Sequence, residues 1–526
     1  MSKTHDFKGY LSAYHSEVSG SKLLLSLTFP NGRKSRILID CGSFQEVKYR
    51  YLNYVNDFDP SKIDAILITH NHLDHTGMLP KMFRYGFRNK IYMSKITLDL
   101  LPRFLMDSAS KQERNAKEVA QMYPGEEWRF KALYNEDDVK KTLNLCIGLD
   151  YQETVEILPG VEVTFFINGH ILGASMILVQ CCYPGLKPLC YLFTGDYKLS
   201  NPFFEVPELP NWLRKTELIV AHEATYGATR AKDIDVCFRK NMLEAFSKKQ
   251  DILIGAFAQG RMQDILYDFK KFQIEGIIPD CYDICIDGFL GIQTTYKYQR
   301  ILRNFNPEAS DFIPYGIVQV DPKDRKSILK SERHIIVITT SGMLSKGPAR
   351  AYVPAFLEHE NALIHLTGYA AEDTLARLLL DTRDSDVIEI DGHLYTRKAE
   401  IKTTMEKSAH PTQDEILKFI GKFENISFLA INHGNKDVKN ALKAVIEENC
   451  SNVKQVGILN RETMYCFTRS KKKGDRAGDI IVRELPAKFD DGLVTTSQSK
   501  YKKNNGKQKA KQNRKGANRQ RGKAKK

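Results

Sequence analysis

The residues able to do chemistry are concentrated in one short run, His70-Asn71-His72-Leu73-Asp74-His75. With 13 histidines and 64 acidic residues in 526, an H-x-H-x-D-H arrangement arises by chance in fewer than about one such chain in a thousand. Imidazole and carboxylate suit zinc, and a tight turn after a strand aims several of them into one cavity. The run follows the apolar stretch DAILIT, which reads as such a strand. A polar loop whose histidines merely close a strand end is the alternative. Two ions about 3.5 to 4 Å apart need more donors, including a bridging oxygen. His170 in NGHILGAS and Asp196 in FTGDYK stand at two further strand ends. Either alone reads as a turn residue or a satisfied core group; in combination they point to one site. Asp40 in ILIDCG is either a carboxylate that orients ligand histidines or an ordinary turn aspartate.

The elements that must position these residues are short β-rich runs: 22–29, 36–42, 64–70, 161–170 and 188–196. Each alternates apolar positions and ends on Gly, Asn or Asp, which predicts strands delivering polar residues at their C-terminal ends. Residues 97–143 read as helical. From about 210 to 395 the rhythm changes to helix-like VCFRKNMLEAFSKKQ, then DILIGAFA, IIVITTSGM and NALIHLTGY, the pattern of βα units in a parallel sheet. Near 401 the chain returns to the first domain through DEILKFIGKF, ISFLAINHG and DVKNALKAVIEE.

A chain of 526 residues exceeds the ~250 to 300 that one core holds, so two domains, or one with a large insertion, are expected. Hydrophobic residues at 42% and charged ones at 27% exclude a collagen-like, mainly disordered or coiled-coil chain. No stretch approaches the ~18 apolar residues of a membrane span, and the start lacks the apolar core of a secretory signal. Ten cysteines occur without a C-x-x-C pair, so free thiols and a cytoplasmic setting are expected. The net charge of +14 resides in the C-terminal tail: residues 497–526 hold 13 Lys and Arg and no acid, leaving 65 basic against 64 acidic residues in the body. Such a tail cannot bury a core and is expected to be disordered. It reads as an arm for RNA or another polyanion, or as a solubilising extension.

Asp40, the His70–His75 run, His170 and Asp196 resemble, in order, the first four motifs of the metallo-β-lactamase fold. The rest of the chain is similar to the β-CASP family of that superfamily, the branch of the mRNA 3′-end cleavage endonuclease. AHEATYG places Glu223 at motif A, KSAHPTQDE places His410 at motif B and INHG places His433 at motif C. FAQGRMQD, Asp287-Gly288, TSGMLSKGP and GYAAEDTLAR follow in family order between them. Departures are Lys407 where Phe is usual, Pro411-Thr412 after the histidine, and Glu372-Asp373 where Glu-Gly is usual.

The resemblance implies an α/β fold: a metallo-β-lactamase αβ/βα sandwich in two parts, 1–209 and 396–470, with a β-CASP α/β domain inserted at 210–395. Residues 471–496 form an extension of unassigned role. It implies two zinc ions, one on His70, His72 and His170, the other on Asp74, His75 and His433, with Asp196 bridging. His410, kept cationic by Glu223, would be the general acid. The expected reaction is hydrolysis of single-stranded RNA to 5′-phosphate and 3′-hydroxyl ends, with endonuclease action favoured over 5′-exonuclease action. A histidine at motif C favours RNA over DNA. Arg261, Ser341, Lys346 and Arg377 are candidate phosphate contacts, each equally readable as a surface or interdomain ion pair. A DNA nuclease of the same superfamily and a non-catalytic RNA-binding scaffold are the rival readings. The sequence leaves the oligomeric state open, a homodimer included.

Overall fold

The computed structural model describes residues 6–46, 48–122, 131–234, 237–368, 370, 373–469 and 478–487. The tail at 497–526 lies outside the described residues. Two sheets form the larger body. Eight strands lie in the order Ile480–Pro486, Thr463–Arg469, Lys8–His15, Lys22–Thr28, Lys34–Ile39, Ala65–Leu67, Lys90–Ser94 and Cys146–Leu149. Seven lie in the order Val456–Ile458, Ile426–Asn432, Leu218–Glu223, Leu186–Phe193, Ser175–Tyr183, Val161–Ile167 and Thr154–Leu158. Alternating side chains of both sheets meet in one core, where Leu11, Leu25 and Ile37 face Phe165, Val179 and Tyr191. Leu38 and Ile66 on the outer face of the first sheet pack with Leu101 and Leu105 of the helix Lys95–Met122. Val220 and Leu429 on the outer face of the second pack with Ile416 and Leu442, from the helices Gln413–Ile420 and Lys436–Asn449. This is the expected four-layer αβ/βα sandwich.

The inserted unit is a six-stranded parallel sheet in the order Val318–Gln319, Tyr282–Asp287, His334–Thr339, Asp251–Gly255, Ala362–Leu366 and Glu400–Thr403. Its four inner strands are buried on both faces, which is why they read as nearly unbroken apolar runs such as IIVIT.

The expected limits of this insertion, 210 and 395, fall several residues early. Leu218–Glu223 pairs with Leu186–Phe193 and Ile426–Asn432 in the sandwich, while Glu400–Thr403 pairs with Ala362–Leu366 in the inserted sheet. An apolar strand reads the same in either sheet, and only its partners decide. Nor is all of 471–496 a plain extension, because Ile480–Pro486 pairs antiparallel with Thr463–Arg469 at the edge of the eight-stranded sheet. The helical stretch expected at 97–143 is two helices, Lys95–Met122 and Glu136–Leu143.

Candidate metal centre

Ala65–Leu67 is a buried three-residue strand, after which the chain turns through Thr69–His72 into the short helix Leu73–Thr76. The turn fits because Gly42 lies beneath it: a Cβ at Gly42 would stand 1.5 Å from the Asp74 carbonyl oxygen. His170 and Asp196 follow the strands Val161–Ile167 and Leu186–Phe193, and His433 follows Ile426–Asn432. All seven expected ligands therefore lie at strand ends, or on the short helix that follows one, at one edge of the sandwich.

Their donor atoms form two groups, and a third set joins His170 and Asp196 to His410. In the first, His72 Nδ1 lies 3.1 Å from His70 Nε2 and 3.2 Å from His170 Nε2. Ligands 2.0 to 2.1 Å from a tetrahedral metal stand roughly 3.3 Å from one another, so the spacing fits. In the second, His75 Nε2 lies 3.2 Å from Asp196 Oδ2, 3.3 Å from His433 Nε2 and 3.9 Å from Asp74 Oδ2. Asp196 Oδ2 is also 3.8 Å from His70 Nε2 and 3.9 Å from His170 Nε2. One carboxylate thus reaches both groups.

The electrostatics of the pocket suit a cation. Burial lowers His70, His170 and His433 well below the ordinary histidine range and His72 to about 4, keeping them in the neutral form that ligates metals. Burial likewise raises the Asp196 carboxyl, although His75 opposes this. Asp196 Oδ1 is buried without a hydrogen bond, its neighbour His433 Nδ1 lying 3.2 Å away but out of line. Burial opposes a charge on His75, but Asp196, Asp40 and Asp74 outweigh it and raise this ring, whose Nε2 meets Asp196 Oδ2. Asp196 Oδ1 and His72 Nε2 are the polar atoms of the cluster buried without a hydrogen bond among the described residues, and a buried carboxylate oxygen left so is what a bound cation resolves.

The outward ring nitrogens are held in place as well. Asp40 accepts from His75 Nδ1 at 2.7 Å and from the Thr69 N–H at 2.9 Å. The Thr69 hydroxyl lies 2.9 Å from Asp40 Oδ2 and 3.1 Å from His70 Nδ1, so Asp40 orients two histidines, one directly and one through Thr69. His170 Nδ1 donates to the Ala409 carbonyl at 2.9 Å, and Thr225 Oγ1 meets His433 Nδ1 at 3.1 Å.

His410 stands beside this centre with its ring 4.9 Å from that of His170. Its Nδ1 lies 3.0 and 3.1 Å from the two oxygens of Glu223. Burial opposes a charge on His410, but the Glu223 carboxylate outweighs it and raises the ring above the ordinary range. Glu223, despite burial, is held low by His410 and by the Tyr197 N–H that donates to it at 2.8 Å. The carboxylate thus favours the charged form of the His410 ring, and the ring favours the charged form of the carboxylate. Lys198 donates to the His410 carbonyl at 3.1 Å and to Glu415 at 2.7 Å. The unusual Thr412 caps the following helix in a box with Glu415, and the unusual Lys407 pairs with Asp268 of the inserted domain.

The two domains face each other across a cleft of 2610 Å³. A reciprocal amide pair, Asn71 with Gln259 at 2.6 and 2.8 Å, ties the histidine run to the inserted domain. Arg261, Ser341 and Lys346 line the cleft. The Ser341 hydroxyl donates within its own loop, to the Lys346 carbonyl at 3.3 Å. Arg377 is not brought to the cleft lining; it pairs with Asp381 one helical turn on, at 2.6 Å. Sequence reasoning missed Thr69, Thr225, Lys198 and the Asn71–Gln259 pair. Their types are common and their partners lie up to 217 residues away, so no local pattern marks them.

Fold and site together define a metallo-hydrolase of the metallo-β-lactamase superfamily, whose family model matches residues 28–215. Residues 262–379 match the Beta-Casp domain and 395–454 match a Zn-dependent metallo-hydrolase RNA specificity domain. The chain belongs to the β-CASP family. Among its relatives, the transcription termination factor FttA of Methanosarcina mazei is 30% identical over 378 residues, covering 69% of this chain and 56% of that protein. The FttA of Methanococcus maripaludis is 28% identical over 413 residues, covering 75% and 62%. That of a Lokiarchaeum is 25% identical over 440 residues, covering 79% and 65%. The chain spans about three fifths of the length of these relatives.

Proposed function

We propose that this chain is a zinc-dependent ribonuclease that cleaves single-stranded RNA internally, leaving 5′-phosphate and 3′-hydroxyl ends. The observation that carries the reading is the His410–Glu223 pair standing beside two candidate ligand groups, one containing Asp196 and the other within 3.9 Å of it. His70, His72 and His170 would hold one zinc, Asp74, His75 and His433 the other, with Asp196 between them. Bound zinc supplies Lewis-acid polarisation of the phosphate and water of lowered pKa. The chain's own part is to keep four imidazoles neutral and to hold a proton on His410 Nε2 for the departing 3′-oxygen. RNA over DNA is supported by His433 and by the RNA specificity domain matched at 395–454. A cytoplasmic setting is supported by ten unbridged cysteines. The relatives' name, transcription termination factor, suits an activity on nascent RNA.

Digestion of a long RNA labelled at either end, by protein reconstituted with zinc, tests this reading. Internal products bearing 5′-phosphates, with little cutting of a DNA of the same sequence, are expected. Stepwise loss from the 5′ end would replace the endonuclease reading by an exonuclease one. Intact RNA with a full complement of zinc would leave the scaffold reading in its place.

A further inference from the structure

Four adjacent strand ends of the inserted sheet, in the order Tyr282–Asp287, His334–Thr339, Asp251–Gly255 and Ala362–Leu366, carry an unusual row of side chains. After the first comes Phe289, 78% exposed, and after the third Phe257, 45% exposed. Single exposed rings are ordinary. These two line the same cleft as His72, His170 and His410. Between them lies the loop after the central strand. A Cβ at Gly342 would stand 3.2 Å from the Phe257 ring, and one at Gly288 would stand 2.4 Å from Thr340 Oγ1. Neighbouring strands are ~4.8 Å apart, so the backbones bearing the two rings start about 10 Å apart. Each ring is placed to take its own flat partner.

Cations from both domains line the same cleft. Lys346 and Arg50, both in the cleft lining, pair with no carboxylate among the described residues, Arg50 donating only to the Gln45 carbonyl. Burial, helped by the nearness of Arg50 and Lys111, lowers the Lys346 amine. Arg261 packs on Gly368, and its buried Nε and Nη1 have no hydrogen-bond partner among the described residues, although the Asp264 carboxylate three residues on offsets part of its charge. By contrast Arg350 and Arg325 in the same cleft are neutralised by Asp391 and Asp287. Lys346 and Arg50, cations without a paired carboxylate among the described residues, beside exposed π faces suit a polyanion that also presents flat rings, which is unpaired nucleic acid.

We infer that Phe257 and Phe289 form a base-stacking subsite for single-stranded RNA on the inserted domain, with Lys346, Arg50 and Arg261 taking the phosphates between the stacked bases. The inference rests on the reading of the cleft as an RNA-cleaving site and adds how the RNA is held there. It implies that the RNA is gripped without base-specific hydrogen bonds, and that a base-paired segment is rejected because its ring faces are already covered.

The test measures RNA binding by fluorescence anisotropy in a His410→Ala background, which blocks cleavage. Phe257→Ala, Phe289→Ala, the double variant and Phe257→Leu are compared on a single-stranded oligoribonucleotide and on an abasic backbone of equal length. Loss of affinity on the order of tenfold per ring is expected on the normal RNA and none on the abasic one. Phe257→Leu, which keeps the apolar bulk, should behave as Phe257→Ala, and melting temperatures should not change because both rings are exposed. Lys346→Gln should flatten the salt slope by about 0.7 on both ligands. Unchanged RNA affinity in the double variant overturns the inference and assigns the rings to a protein contact instead. Equal losses on normal and abasic RNA overturn it as well. Protein that binds RNA through these rings yet cuts none when zinc-loaded would sustain the subsite and overturn the ribonuclease reading. Protein that cuts RNA equally well with and without the rings would do the reverse.

Discussion

Asp40→Asn separates the two jobs of a buried carboxylate without changing its shape. Asp40 is 2% exposed and sits at φ 59°, a left-handed conformation that Asn tolerates as readily as Asp, so the backbone is not what the substitution perturbs. One oxygen accepts the Thr69 N–H at 2.9 Å and the other accepts His75 Nδ1 at 2.7 Å. An amide has one acceptor and one donor end, so whichever way it turns, one of these N–H groups faces an NH2. If that group is His75, relief comes by moving its proton to Nε2, the atom aimed at Asp196 and His433, and the residue ceases to be a ligand. If it is Thr69, the hydroxyl that orients His70 is displaced too. Loss of a partner of this kind costs about 10- to 100-fold in metal affinity, and one unsatisfied buried donor costs about 1 to 3 kcal/mol of stability. Competition between apo-protein and a chromophoric chelator for zinc reads the first quantity, and urea unfolding of apo-protein reads the second. Zinc affinity equal to that of the parent protein, in a variant shown to be folded, would refute the claim that Asp40 sets the histidine tautomers.

His410→Ala should keep its metal and lose about 10² to 10⁴ in kcat, whereas His433→Ala should lose metal as well; elemental analysis beside rate measurement separates them, and like behaviour of the two would cancel the role division. Glu217, 6% exposed, would be raised by burial, but Ser427, Arg469 and Lys187 hold it down at about 2. A depressed carboxylate stabilises fully above its unfolded pKa and loses that contribution as pH falls toward its folded one, so Glu217→Gln should cost up to roughly 3 kcal/mol at pH 7 and little near pH 2; urea titrations at both ends check it, and a cost independent of pH would be the wrong result. Deleting residues 497–526, with their 13 positive charges and no acid, should weaken RNA binding and flatten its salt dependence, each phosphate contact contributing about −0.7 to the slope. Cleavage at saturating RNA should stay nearly constant, and an unaltered slope would mark the tail as a solubilising extension.

The candidate ligand run was legible in the sequence because its residues are local. His70, His72, Asp74 and His75 lie within six consecutive residues, and a strand followed by polar residues announces both the element and the end that bears the candidate site. The fold class was legible for a similar reason: strand and helix periodicities survive in DAILIT, ISFLAIN and DVKNALKAVIEE, and the motif order maps onto one architecture. What the sequence alone left undetermined is pairing. Leu218–Glu223 and Glu400–Thr403 changed domain only when their neighbours were known, since a strand's residues encode burial and not the identity of the strand beside it. Likewise Arg377 turned to Asp381 while Arg261 turned into the cleft, two arginines that composition cannot tell apart. The support of the site was decided by the tertiary structure alone. Ala409 receives His170 through a carbonyl, a group every residue possesses, and Lys198 reaches Glu415 across 217 positions, so only the folded chain selects which of many equivalent donors and acceptors meet.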